Sequence, residues 1–213
     1  MRTAVPEAAV ILDANQSYTE VDLSILRRLD SLGCAGIEEP LQRDYAPKAR
    51  INIFSRLGSL QYQMKTTLFL DESIVTDEVM RLALTTRNIR GYVLKIGKFG
   101  GVVPALQFYR SARARGAQIW MGGMFDTGIS KRLHAAFGLL PDVSLPGDIN
   151  DTSRYFATDI TTPPLVLEEG NLLLNPPEAP YGLGCELDRE ALASVTIDAS
   201  EYEWSGRRVI QRS

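Results

Sequence analysis

Ala9-Val10-Ile11-Leu12-Asp13, Gly36-Ile37-Glu38, Leu68-Phe69-Leu70-Asp71 and Tyr92-Val93-Leu94-Lys95 are four short apolar runs, each ending on a charged residue. The charged ends lie 25, 33 and 24 residues apart. Each interval holds one strand, one helix and two loops. A repeated strand–helix unit with a charged residue at each strand's C-terminal end is how a parallel barrel assembles an active site. Three carboxylates converging there suit a hard divalent cation. A lysine beside such a cation suits proton abstraction next to a carboxylate.

The segments between these runs have helical patterns. Thr19 with Asp22 forms a capping box, Val21, Ile25, Leu26, Leu29 and Leu32 make an apolar stripe, and Gly33 ends the first helix. A second helix is predicted within 47–57, and a third from Thr76 or Asp77 to Arg87. A fourth is predicted from Val103-Pro104 to Gly116, and a fifth over 129–140. Six strands are predicted, at 9–13, 35–38, 67–71, 91–95, 117–121 and 142–146. They do not alternate cleanly, as expected of parallel strands buried on both faces. Helices crossing between parallel strands make an α/β fold.

Six strands fall short of the eight in a closed barrel. A doubly wound sheet is the other arrangement, but its glycine signature is missing after the first strand, which continues Asp13-Ala14-Asn15-Gln16. From Asn150 the pattern changes. Pro163, Pro164, Pro176, Pro177 and Pro180 mark an irregular connection, followed by a short helix at 187–194 and a strand-like tail at 194–197. The predicted organisation is a partial barrel carrying the site over 1–149 and a C-terminal extension packing on it over 150–213.

The chain has 213 residues, is 45% hydrophobic and carries a net charge of −3, so it is long and apolar enough for a sizeable core. It holds no Lys/Arg cluster, which argues against a nucleic-acid partner. No apolar stretch approaches a membrane span, and Met1–Pro6 lacks the apolar core of a secretion signal. Cys34 and Cys185 form no disulfide framework, and a cytoplasmic location is expected. The one histidine, His134, excludes a multi-histidine zinc site. It lies in a helical pattern away from the strand ends, where a structural or surface role is expected.

Each acidic residue alone reads as a helix cap or surface charge. Three at successive strand ends read as a site. Glu38 and Glu39 compete for one role, since strand alternation points only one of them inward. Lys98 and Glu72 are ambiguous. Asp126 and Lys131 read as loop or helix-start residues, and Trp120 as packing.

Further motifs stand in register. They are Asp13-Ala14-Asn15, Ile37-Glu38-Glu39-Pro40, Leu70-Asp71-Glu72-Ser73, Lys95-Ile96-Gly97-Lys98-Phe99-Gly100-Gly101, Gly122-Gly123-Met124-Phe125-Asp126-Thr127-Gly128, and Pro146-Gly147-Asp148-Ile149. Each is common by itself; six in order over residues 8–190 are specific. Together they resemble the enolase superfamily, and within it the branch of o-succinylbenzoate synthases and N-acylamino-acid racemases. The resemblance implies an incomplete (β/α) TIM-type barrel with a magnesium cofactor, manganese being the alternative. Asp13, Glu38 and Asp71 match its metal-ligand positions, and Lys95 its catalytic lysine. Gly122, Gly123 and Met124 match a turn lining the substrate pocket, and Asp148 matches the turn after the last strand. Asn15 matches a polar position behind the metal ligands and is counted with the substrate-binding residues.

The implied substrate is a small-molecule carboxylate that loses its α proton. The implied outcome is either dehydration to o-succinylbenzoate in menaquinone formation or racemisation of an N-acylamino acid, and the residues do not separate the two. The Asp-x-Asp of dipeptide epimerases is replaced by Gly147-Asp148-Ile149, and the single histidine argues against a His-Asp dyad. The family pattern also includes a capping domain and two earlier strands, the second carrying Lys-x-Lys, and this sequence has no match to them. A truncated or split enzyme, impaired alone, is therefore expected. Its unpaired edges favour a homo-oligomer or pairing with a missing N-terminal portion. The alternative is a non-catalytic remnant that binds metal or another subunit.

Overall fold

The computed structural model describes residues 7–42, 49–175, 181–200, 202–204 and 209–211. Five strands, β1 (Ile11–Asp13), β2 (Gly36–Glu38), β3 (Leu68–Leu70), β4 (Gly91–Leu94) and β5 (Gln118–Met121), pair in chain order into one sheet. All four pairings are parallel. The connections carry helices α1 (Leu23–Ser31), α2 (Ala49–Gln63), α3 (Asp77–Thr85) and α4 (Val102–Arg113), and α5 (Gly128–Gly138) follows β5. This is the expected incomplete (β/α) barrel, with five strands hydrogen-bonded into the sheet among the described residues.

The sixth predicted run, 142–146, contributes a single parallel bridge from Val143 to Ile119. Pro141 and Pro146 flank it and have no N–H to donate to a ladder. The carbonyl of Pro146 is instead taken by the Trp120 indole N–H at 2.8 Å.

Strand alternation divides the sheet into two faces. Leu12, Ile37, Leu68, Leu70, Tyr92, Leu94, Ile119 and Met121 pack into the main core. Ile11, Phe69, Val93 and Trp120 form a separate cluster on the opposite face, with the Phe69 and Trp120 rings edge to face at 6.1 Å. Gly36 and Gly91 make room for Phe69. A Cβ on either would come within 2.5 Å and 2.9 Å of its ring. Two residues further along each strand, on this second face, stand Asp13, Glu38, Asp71, Lys95 and Gly122.

The helices follow their sequence signals, with three differences. Thr19 donates its N–H and hydroxyl to the Asp22 carboxylate, and Gly33 ends α1 at φ +67°. Of the predicted α1 stripe, Leu26 is buried, but Val21, Ile25 and Leu32 are exposed. α1 connects β1, at the edge of the sheet among the described residues, to β2, and only part of its apolar face finds the core. α2 continues six residues past its predicted end because Gln61 caps the next turn. Its amide donates to Thr66 O at 3.0 Å and accepts from Leu68 N–H at 2.7 Å. The predicted start at 47 lies outside the described residues. The predicted tail at 194–197 is not a strand: its first two residues close α6 (Arg189–Val195).

The chain divides into two compact units, 1–124 with 133–149, and 125–132 with 150–213. The second unit holds α6 and the antiparallel pairs β6 (Thr161–Thr162) with β9 (Glu186–Leu187), β7 (Leu167–Glu168) with β8 (Asn171–Leu172), and β10 (Tyr202–Trp204) with β11 (Val209–Gln211). The Asp159 carboxylate organises it, accepting from Gly128 N–H at the start of α5 and from the Thr152 and Thr161 hydroxyls. Buried Arg132 donates to the carbonyls of Leu174 and Pro163. Here the fixed donors of guanidinium do what a helix or sheet does elsewhere, satisfying the backbone of irregular, proline-rich chain.

Candidate active site

Asp13 and Glu38 end β1 and β2 and are ladder partners. Asp71 and Lys95 follow β3 and β4 by one residue. One oxygen each from Glu38, Asp71 and Glu72 lie within 4.8 Å of one another, close enough to share one cation. The third acid in this group is Glu72, which the sequence left ambiguous. Asp13 stands outside that spacing, exposed, with its carboxylate held by Asn15 at 2.9 Å from the backbone N–H and 2.7 Å from the side-chain amide. Asn15 adopts φ +44° to make that turn. Burial and then the Asp71 charge raise both Glu38 and Glu72, and the Asp13 charge adds to each.

Both lysines of the β4 turn end on Asp71. Lys95 Nζ pairs with one carboxylate oxygen, and Lys98 Nζ with the other and with the Asp71 carbonyl at 2.9 Å. Burial pulls the Asp71 carboxyl upward, but Lys98 and Lys95 outweigh it and hold it below its usual range. Glu38 is pushed up to about 9, first by burial and then by the charges of Asp71 and Asp13. Burial would lower Lys95, yet Asp71, Glu38 and Glu72 hold it above its ordinary value. Lys98 is the depressed one, because burial dominates there.

Glu38 and Glu39 are both buried. Glu39 leaves the strand at φ +37°, which breaks the alternation that would have turned it outward. Its carboxylate accepts from Asp71 N–H at 2.8 Å, from Ser73 N–H at 3.1 Å and from the Ser73 hydroxyl, so it shapes the loop carrying Asp71 and Glu72. Burial pushes it up to about 7, with Ser73 and Asp71 pulling back. Sequence reasoning passed over this role; the clue was two adjacent acids before a proline.

Gly122 touches Lys95: a Cβ there would lie 2.5 Å from Lys95 Cε and from Val93. Gly123 lies against the Asp148 backbone, where a Cβ would meet the carbonyl at 2.0 Å, and Asp148 N–H donates to Met121 O at 2.9 Å. Met124 and Asp148 are exposed, and neither is in the acidic group. Trp120 packs in the second-face cluster. His134 is buried and accepts from Ile96 N–H. Cys34 and Cys185 are not bridged. Among the described residues no helix is long and apolar enough to cross a membrane. A groove of the second unit, about 860 Å³, is lined by Pro163, Pro164, Val166, Leu172 and Arg132 and holds none of the predicted site residues.

The donor set fits a divalent cation. Asp13, Glu38, Asp71 and Glu72 bring four carboxylates, while Lys95 and Lys98 bring two ammonium groups. Burial first, and then the neighbouring acids Asp71 and Asp13, raise the proton affinity of Glu38.

A parallel partial barrel with an acidic, lysine-flanked cluster at its strand tips defines a class of barrel with its chemistry at the C-terminal edge of the sheet. Residues 1–191 match the model of the family described as enolase C-terminal domain-like, and the chain belongs to that family. It is 36% identical over 184 residues to an o-succinylbenzoate synthase of Enterococcus faecalis, covering 86% of this chain and 47% of that protein. It is 32% identical over 197 residues to an N-succinylamino acid racemase of Thermus thermophilus, covering 92% and 50%. The fold superposes on a muconate cycloisomerase from Pseudomonas fluorescens with a TM-score of 0.76 at 28% identity, covering 91% of this chain and 51% of that one. The chain thus spans about half the length of the curated relatives it matches.

Proposed function

We propose that this chain is the site-bearing part of a magnesium-dependent enzyme that removes the proton α to a carboxylate, working in the cytoplasm on a small-molecule substrate. The supporting observation is the convergence of Glu38, Asp71 and Glu72 on one point with Lys95 and Lys98 beside them. The two outcomes are dehydration to o-succinylbenzoate, serving menaquinone formation, and racemisation of an N-acylamino acid. Relatives bearing both names support this pair.

Glu38 and Asp71 would hold magnesium, or manganese in its place, with Asp13 and Glu72 as the remaining acids. The bound ion would supply positive charge to offset the substrate carboxylate as its α proton leaves. Protonated Lys95 faces the same point and stabilises the negative charge building there. Gly122 leaves the room Lys95 needs, while Asn15 and Glu39 orient the acids. Gly123, Met124 and Asp148 would border the substrate. Racemisation needs a base on each face of the substrate, so full activity would require a second lysine, which the Lys-x-Lys strand of relatives would supply.

The test is magnesium-dependent turnover of the o-succinylbenzoate precursor and of an N-succinylamino acid, with Lys95→Ala as control. Turnover that needs magnesium and disappears in Lys95→Ala is expected once an N-terminal complement is supplied. Calorimetric magnesium binding without turnover under those conditions would favour the second reading, a metal-binding or subunit-interaction protein. That reading draws support from the exposed Val21, Ile25 and Leu32 on and around α1.

A further inference from the structure

His134 is buried to 1% exposure, and its Nε2 accepts from the Ile96 backbone N–H at 2.8 Å. The ladder between β4 and β5 ends at Leu94 and Met121, with Gly122 N–H reaching back to Leu94 O. Ile96 lies beyond the ladder yet is buried, so its N–H needs an acceptor that the sheet no longer provides. The imidazole provides it. Accepting at Nε2 makes the ring neutral with its proton on Nδ1.

The same amide sits inside a tight turn. Phe99 N–H closes on Lys95 O, Gly100 N–H on Gly97 O, and Gly101 N–H on Ile96 O. Ile96 is thus fixed on both sides, by His134 at its nitrogen and by Gly101 at its carbonyl. The turn carries Lys95 and Lys98, and both reach Asp71. A small rotation of the Ile96 peptide would swing both ammonium groups, and displacements near 1 Å are costly at a reacting centre.

We infer that His134 is a positioning residue: it pins Ile96 and so aims Lys95 and Lys98 at Asp71. What the lysines do there rests on the proposed function; the anchoring itself is a property of the resting protein. The chain has one histidine, so its ring signals are unambiguous in nitrogen NMR of the full chain. The expected result is a proton on Nδ1 and a coupling across the hydrogen bond from Ile96 N–H to Nε2. In His134→Leu the Ile96 amide should exchange about tenfold faster or more. The lysine ammonium signals should shift as well, while the Thr66 amide on Asp30 keeps its rate. His134→Gln, whose Oε1 reaches the place of Nε2, should restore both. A proton on Nε2 in the wild type, or unchanged lysine signals in a folded His134→Leu, overturns the inference. If His134→Leu does not fold, the wild-type tautomer and the glutamine variant decide it. No readout needs substrate, so missing turnover would count against the proposed activity and not against the anchoring.

Discussion

Glu38 is where the electrostatics of the site concentrate. Held up to about 9, it carries a proton at neutral pH, and a cation bound there must displace it. Magnesium binding should therefore release a proton, and its apparent affinity should rise by up to about tenfold per pH unit until pH nears 9. Calorimetry in buffers of different ionisation heat reads this directly, and pH-independent affinity without proton release would refute it. Glu38→Gln and Asp71→Asn should each weaken binding by about 100-fold or more, since even residues behind the ligands are worth 10–100-fold. Comparing Asp13→Asn with Glu72→Gln then decides which acid completes the ligand set. The larger loss is expected at Glu72 if the 4.8 Å grouping is the binding arrangement.

At the scale of elements, Asp30 joins α1 to the start of β3. Its carboxylate accepts from Lys65 N–H at 3.0 Å and Thr66 N–H at 2.7 Å. Partial burial raises its carboxyl, but the Thr66 and Lys65 amides outweigh that and hold it below the ordinary 3.8. A depressed acid stabilises the fold above its unfolded pKa and loses that contribution as pH falls through its folded one. Asp30→Asn should therefore cost about 1 kcal/mol near pH 7, allowing for solvent contact, and less as pH drops below about 4. Denaturant melts at the two pH values check it; an equal cost at both would remove the charge from the explanation. The order of strands and helices was legible because each apolar run and cap acts locally, as at Thr19, Asp22, Gly33 and Gly116. The placement of Asp13, Glu38, Asp71 and Lys95 at strand ends was legible because the length of each apolar run fixes where a strand ends. Glu39, Gln61 and Asp159 were not, because each bonds backbone brought near by folding, and nothing in the adjacent sequence marks that backbone.

For the molecule as a whole, the edge of the sheet governs behaviour. Val21 is 87% exposed in the turn before α1, with Ile25 and Leu32 also facing solvent. Apolar surface near a strand that has no outer ladder partner among the described residues favours association. We expect light scattering to show an assembly larger than a monomer, and Val21→Glu combined with Ile25→Glu to shift it toward a monomer with the fold retained. A wild-type monomer at all concentrations would remove this support for a subunit-interaction role.

The chemical residues and the Phe69–Trp120 cluster share one face of the same strands, two positions apart. A residue inserted in a strand ahead of its packing position would therefore turn both over to the helix side together, losing charge cluster and packing in one event, whereas one inserted between the two would turn over the charged residue alone. A residue added in the loop before a strand changes neither. Drift in chain length is thus confined to the connections. Insertion scanning should divide the first unit into permissive loops and intolerant strands, with the one position between packing and charged residue losing the chemistry while the strand keeps its packing.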